Sequence, residues 1–192
     1  MRQRLLYLNI YQVNSQPFLA LGWQFRCASL PPVKETLCGK QSARIAMDTW
    51  NRLSQITALR FVARSANESG WNGSGDGSVV VAQPNANTIT FTETGKWQSD
   101  AGQQLNFNNV FRWSLDDSSN AIRLEHLRFG PDNPVYLFDL APENDHTWQS
   151  ATPHVCRDDL YSAIMTLAAD QIELRWSIKG PNKDEDIYYW YS

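Results

Sequence analysis

The sequence predicts an all-β, mainly antiparallel protein that forms a single barrel of about eight to ten strands after a short N-terminal helix. Apolar and polar residues alternate with a period of two over long stretches from residue 60 onward. Clusters of Gly, Asp, Asn, Ser and Pro separate these stretches at the spacing of hairpin turns. The chain also contains eight Trp, seven Tyr and eight Phe, which is enough for a large core or an aromatic-lined cavity. A sandwich fits the same pattern, but closure into a barrel leaves no strand edges open to aggregation.

The strand pattern is clearest over residues 88–97 and 105–115, where large apolar residues occupy every second position. A turn at residues 99–102 joins these two strands into a long hairpin. Residues 158–170 fit either a strand or a helix, and we favour a strand. Further strands are predicted at 58–65, 78–82, 121–129, 135–140 and 172–179, with turns that include residues 73–77.

The first 46 residues differ in sequence pattern from the rest, because they show no sustained hydrophobic periodicity and contain a Pro31-Pro32 pair. We interpret residues 1–46 as an extension that is poorly ordered or a start-site artefact, and residues 47–192 as the barrel domain. Met47 would open a short helix, with Asp48 or Thr49 as its N-cap.

Charge and cysteine content narrow the class of protein. The chain has 17 basic and 20 acidic residues without a basic stripe, which argues against nucleic acid as a partner. No apolar run is long enough to span a bilayer. The positive start lacks the apolar stretch of an export signal, and three cysteines without paired spacing favour a reducing compartment. We therefore expect a cytoplasmic protein.

The segment His154 to Tyr161 gathers four reactive side-chain types into eight residues. A tight turn at Arg157 and Asp158 would place Cys156 opposite Asp159 and His154 opposite Tyr161, with all four on one face. These side chains are weak catalytic candidates: a Cys–His pair about 6.5 to 7 Å apart along a strand needs a convergent tilt, and no oxyanion hole is evident. The alternatives are a structural hydrogen-bond network or the polar end of a ligand pocket.

Two sequence motifs together indicate a resemblance to a known family. The block His154-x-Cys156-x-x-Asp159-x-Tyr161 is followed by Trp176-x-x-x-Gly180-Pro181-x-Lys183-Asp184 and a closing aromatic strand. With Gly73, Glu93-Thr94-Gly95 and Phe138-Asp139-Leu140, these motifs resemble an uncharacterised bacterial family thought to be calycin-like, over roughly residues 50–192. The resemblance implies a lipocalin-like barrel and no particular activity.

Three polar residues lie on or beside the predicted interior face. Glu93 interrupts the apolar face of its strand, and burial there would raise its pKa unless Arg112 or another cation pairs with it. An internal ion pair is our interpretation of Glu93, with a general base or a ligand anchor as the alternative. His126 is in register with Ile122 and Leu124, as an interior, hydrogen-bonded histidine would be.

The functional hypothesis is a barrel that holds a small hydrophobic or amphipathic molecule. Its polar contacts would be Glu93, Arg112, His126, His154 and Tyr161, and its walls Trp97, Phe107, Trp113 and Trp176. The alternatives are an isomerase- or lyase-type enzyme in the same cavity, using His154 and Asp159 or Glu93 to move protons, and an interaction module with a filled core. No histidine pair has metal-ligand spacing, so we expect no metal and no cofactor.

Overall fold

A computed structural model describes residues 35–66, 72–116, 118–156 and 158–192, with the side chains of residues 35–40, 42 and 156 outside that description. One helix precedes eleven strands. The elements are α1 (Glu35–Leu53), β1 (Ala58–Ser65), β2 (Gly73–Asn85), β3 (Thr88–Ser99), β4 (Gln104–Asp116), β5 (Ala121–His126), β6 (Val135–Pro142), β7 (Thr147–Ser150), β8 (His154–Cys156), β9 (Asp159–Leu167), β10 (Ile172–Gly180) and β11 (Lys183–Tyr191).

Ten of these strands form a closed antiparallel barrel, which confirms the predicted fold class. Neighbours in the sheet are mostly neighbours in sequence, from β1 through β7, and then β9, β10 and β11. The barrel closes because β11 pairs with β1. Strand β8 pairs with β9 alone, over three residue pairs, and continues the line of β7 after residues 151–153. Strand β9 covers most of residues 158–170, so the strand that we favoured there over a helix is confirmed.

Alternate residues of each strand point inward and line the barrel interior with buried aromatic and branched side chains. The prediction of a turn at residues 73–77 is wrong, because these residues begin β2 and pair with both β1 and β3. The physical reason is that glycines in this strand leave room for large aromatic side chains beside it. A Cβ at Gly75 would collide with the ring of Phe61, so glycines on this face let large neighbours lie against the backbone.

Helix α1 covers the end of the barrel at which β1 begins. The Trp50 indole donates to the carbonyl of Ala86 in the β2–β3 turn at 2.8 Å. The Trp148 indole donates to Thr49 Oγ1 at 3.1 Å, and Arg52 binds the carbonyl of Gln171 at 3.0 Å. Because the helix begins at Glu35, Thr49 is an interior helix residue and the predicted N-cap at Asp48 or Thr49 is wrong.

The helix also runs across the domain boundary predicted at residue 46. Of the predicted extension, residues 1–34 lie outside the described residues, and so does Arg157 of the predicted tight turn. In the described part of the chain, no helix is long and apolar enough to cross a membrane.

Candidate functional site

The β8–β9 hairpin brings the predicted polar block to the end of the barrel opposite α1. The register is the predicted one, with His154 opposite Tyr161 and Cys156 opposite Asp159. Tyr161 points inward and is only 4 % exposed, and its ring centroid lies 6.1 Å from that of His154. The side chain of Cys156 lies outside the described residues.

Lys183 is the central residue of this region, and our reasoning from the sequence named it only as part of a motif. Its Nζ lies 2.7 Å from Asp159 Oδ2 and donates to the hydroxyl of Tyr161 at 3.2 Å. Burial by itself would lower the pKa of Lys183, but the bonds to Asp159 and Tyr161 outweigh it and raise that pKa. The signal for this contact was the Gly180-Pro181-x-Lys183 spacing, because β10 and β11 pair Gly180 with Lys183.

Gly180 has a specific role beside this ion pair. A Cβ at this position would collide with Oδ1 of Asp159, so the carboxylate lies against the glycine backbone. Glu185 follows Lys183 on the same face of β11, and burial raises its pKa, with Lys183 opposing and Asp159 adding to the rise. We call His154, Asp159, Tyr161, Lys183 and Glu185 the polar end cluster.

The chemistry of the polar end cluster follows from its pairing. Asp159 is neutralised by Lys183, so it is a hydrogen-bond anchor rather than a free base. His154 contacts the rings of Tyr136, at 4.9 Å between centroids, and Tyr161. Burial lowers the pKa of His154, which keeps its imidazole neutral at pH 7. Since the described partners of Asp159 are Lys183 and Tyr161, this carboxylate does not orient His154 as a nucleophilic triad would require.

Glu93 lies deeper in the barrel and is 0 % exposed. Its Oε1 accepts the hydroxyl proton of Tyr191 at 2.8 Å, and its Oε2 accepts Nδ2 of Asn109 at 3.5 Å. Burial raises the pKa of Glu93 to about 7, and these two hydrogen bonds oppose the rise. The partners of Glu93 among the described residues are Tyr191 and Asn109, with no Lys, Arg or His, so the predicted internal ion pair is wrong.

Arg112 does not belong to the interior. It lies between the inward-facing Phe111 and Trp113 on β4, so its side chain emerges on the outer face of the barrel. There its Nε donates to Glu125 Oε2 at 2.8 Å. The inward face of β4 consists of the odd-numbered positions, which is why an even-numbered residue cannot reach Glu93.

His126 and the predicted wall residues do lie on the inner face. The His126 ring is 4.7 Å from that of Phe111, and burial, with a smaller contribution from Arg128, lowers its pKa to about 4. Trp176 meets Phe111 at 5.8 Å and Phe138 at 5.6 Å, both edge to face, and stacks on Tyr189 at 5.5 Å. We call Phe111, His126, Phe138 and Trp176 the aromatic group. Trp97, Phe107 and Trp113 are also buried inside the barrel.

A surface groove of about 570 Å³ lies elsewhere, beside α1 and the β6–β7 turn. It contains none of the predicted site residues. Its lining residues are Gln41, Arg44, Ile45, Asp48, Asp145, His146 and Leu167. Among the residues that the structure describes, no group of three or more His, Cys, Asp or Glu side chains could hold a metal ion.

Comparison with known proteins identifies a family and no characterised relative. No curated protein matches the chain, and no solved structure matches it. The profile described as "Family of unknown function (DUF6314)" matches residues 57–192, which cover all eleven strands and begin after α1. The match extends over well more than half of the chain, so this protein belongs to the family of unknown function DUF6314.

Proposed function

We propose that the barrel binds a small amphipathic molecule at the end opposite α1. The observation that carries this proposal is the position of the polar end cluster directly beside the aromatic group. Tyr161 pairs with Ile178, and the next inward pair along the same two strands is Ala163 with Trp176. A ligand there would meet a polar rim and an apolar interior within one layer of side chains.

The exposure of its inward-facing residues favours the end opposite α1 as the place where a ligand enters. The inward-facing His126, His154, Asp159, Lys183 and Glu185 are all only partly buried, whereas Glu93 is enclosed. At the other end, α1 packs Trp50 and Leu53 against the barrel core. Entry of a ligand past the polar end cluster would therefore require smaller rearrangements than entry past the helix.

We also propose a structural relationship and a cellular location for this protein. A closed barrel with one helix supports a lipocalin-like relationship to the bacterial, calycin-like family that the sequence motifs resemble. The three scattered cysteines support a cytoplasmic setting.

Two lysines of the β10–β11 hairpin provide a matched test. Lys183 points inward into the polar end cluster, whereas Lys179 lies on the outer face with about half of its side chain exposed. Binding of the neutral amphipathic dye N-phenyl-1-naphthylamine is measured by its fluorescence. We expect Lys183→Met to weaken binding about tenfold, because it leaves Asp159 without its counter-ion, and Lys179→Met to leave binding unchanged.

Equal affinities in the two variants, or no dye binding by the wild-type protein, would contradict the proposal and favour a filled core. Native mass spectrometry of the protein from its own host supplies an independent reading. A co-purifying small molecule that is lost in Lys183→Met supports the site, and its retention in that variant argues against it.

Acid–base catalysis at the same place is a second candidate, favoured by the neutral imidazole of His154 beside the ring of Tyr161. Glu93 is enclosed and Asp159 is ion-paired, so His154 would have to move the proton. This candidate predicts that His154→Ala abolishes turnover while dye binding persists. Loss of binding and turnover together would point to binding alone.

A further inference from the structure

The buried tryptophans of the barrel differ in how their indole N–H groups are satisfied. At the α1 end, Trp50 and Trp148 each donate to an oxygen, at 2.8 and 3.1 Å. Trp113 and Trp176 are 1 % and 3 % exposed, and their Nε1 atoms are buried with no hydrogen-bond partner among the described residues. Buried donors are nearly always paired, since an unpaired one keeps its full desolvation cost.

The surroundings of Trp176 restrict what could accept its proton. Its ring neighbours are Phe111, Phe138 and Tyr189, and none of them accepts a hydrogen bond from this indole. His126 contributes no charge near pH 7, because burial and Arg128 lower its pKa to about 4. Lys183 is an inward-facing cation at this end of the barrel, but Asp159 and Tyr161 already bind its ammonium group.

These conditions select a chemical class. An anionic oxygen beside Trp176 would be desolvated without a cation next to it, which is costly. An ammonium group could not accept the indole proton at all. A neutral carbonyl oxygen can accept one hydrogen bond and otherwise tolerates apolar surroundings.

We infer that the ligand is a neutral carbonyl compound, such as a ketone, ester or amide with an apolar chain, whose oxygen accepts the Nε1–H of Trp176. The inference rests on the proposed function, because it assigns the deep end of the ligand bound there. The polar end cluster would receive any further polar group of the same molecule.

The experiment compares octan-2-one with octane, two probes of similar size that differ in the carbonyl group. In protein labelled with ¹⁵N at tryptophan, we expect octan-2-one to move the Trp176 Nε1–H resonance downfield and octane to leave it in place. The resonance is assigned by its disappearance in Trp176→Phe. Since the titration uses the wild-type chain, it remains decisive even where a variant folds poorly.

Affinity provides the second readout. We expect Trp176→Phe to weaken the binding of octan-2-one about fivefold more than the binding of octane. This difference corresponds to the loss of one hydrogen bond. Trp148→Phe is the control, because its indole is already paired with Thr49, and it should change both affinities by the same factor.

The outcomes separate the two proposals. If both probes displace the dye, the Trp176 resonance does not move and the variant weakens both equally, the carbonyl assignment is wrong while binding at this end stands. If the dye binds in the Lys183-dependent way but octan-2-one neither displaces it nor moves the Trp176 resonance, the carbonyl assignment is again wrong while binding at this end stands. If the wild-type protein does not bind the dye, the proposed function fails and the carbonyl assignment fails with it.

Discussion

Glu93 is the residue at which burial and charge oppose each other most directly. Its pKa of about 7 lies above its ordinary value of 4.5, because burial disfavours the carboxylate. The folded protein therefore holds this proton more tightly than the unfolded chain does. The resulting contribution to stability is complete below about pH 4.5 and is lost as the pH rises through about 7.

Replacing Glu93 with Gln should remove this pH dependence, since the amide stays neutral and its oxygen can still accept the Tyr191 hydroxyl. Between pH 4.5 and pH 8, the free energy of unfolding of Glu93→Gln relative to wild type should rise by about 3 kcal/mol. Urea denaturation at several pH values measures this difference. Glu143→Gln, at an exposed position, is the control, and a difference that is flat with pH would contradict the prediction.

At the scale of elements, β8 is the least supported strand of the sheet. It pairs with β9 over three residue pairs and with no other strand of the described chain, whereas β3 is paired along both edges. Opening free energies follow the number of backbone and packing contacts that must be lost. The Tyr136–His154 ring contact is the described link between β8 and the start of β6.

We expect the amides of residues 154–156 to exchange with deuterium at least about tenfold faster than those of β3. Hydrogen exchange followed by mass spectrometry or NMR measures both strands in one sample, so β3 serves as an internal control. Equal protection of the two strands would show that β8 is held by contacts other than those with β9 and Tyr136.

At the scale of the whole molecule, α1 and the barrel share one core. Ala46, Trp50 and Leu53 of the helix belong to the same buried cluster as the inward residues of the strands, and Ile45 packs against it. Thr49 also links the two, through its bond to the Trp148 indole. The barrel and the helix should therefore unfold together.

The predicted domain boundary can be tested by comparing a chain that starts at residue 35 with one that starts at residue 47. The shorter chain loses Ile45 and Ala46 and keeps too little helix to hold Trp50 firmly. We expect it to keep a β-rich circular dichroism spectrum but to lose about 1 to 3 kcal/mol of stability to urea. An unfolded shorter chain would refute a domain that begins at Met47, and equal stability would show that residues 35–46 do not support the barrel.

Much of the architecture followed from the sequence because a half-buried strand must place its apolar residues on one face. The alternation around Phe91 and Trp113 identified the inward positions, and the β8–β9 register followed from the length of the turn. The glycines of β2 misled this reasoning, because glycine in a strand and glycine in a turn look alike without knowledge of the rings beside them.

The sequence by itself therefore determined the class of fold, the inward face of the long strands and the pairing of His154 with Tyr161. Tertiary structure alone decided which polar groups meet. Lys183 reaches Tyr161 from 22 residues away and Tyr191 reaches Glu93 from 98 residues away, and neither distance is set until β9, β10, β11 and β3 take their places in one closed barrel. Local patterns specify which face is buried, whereas contacts across the interior depend on strand order and closure.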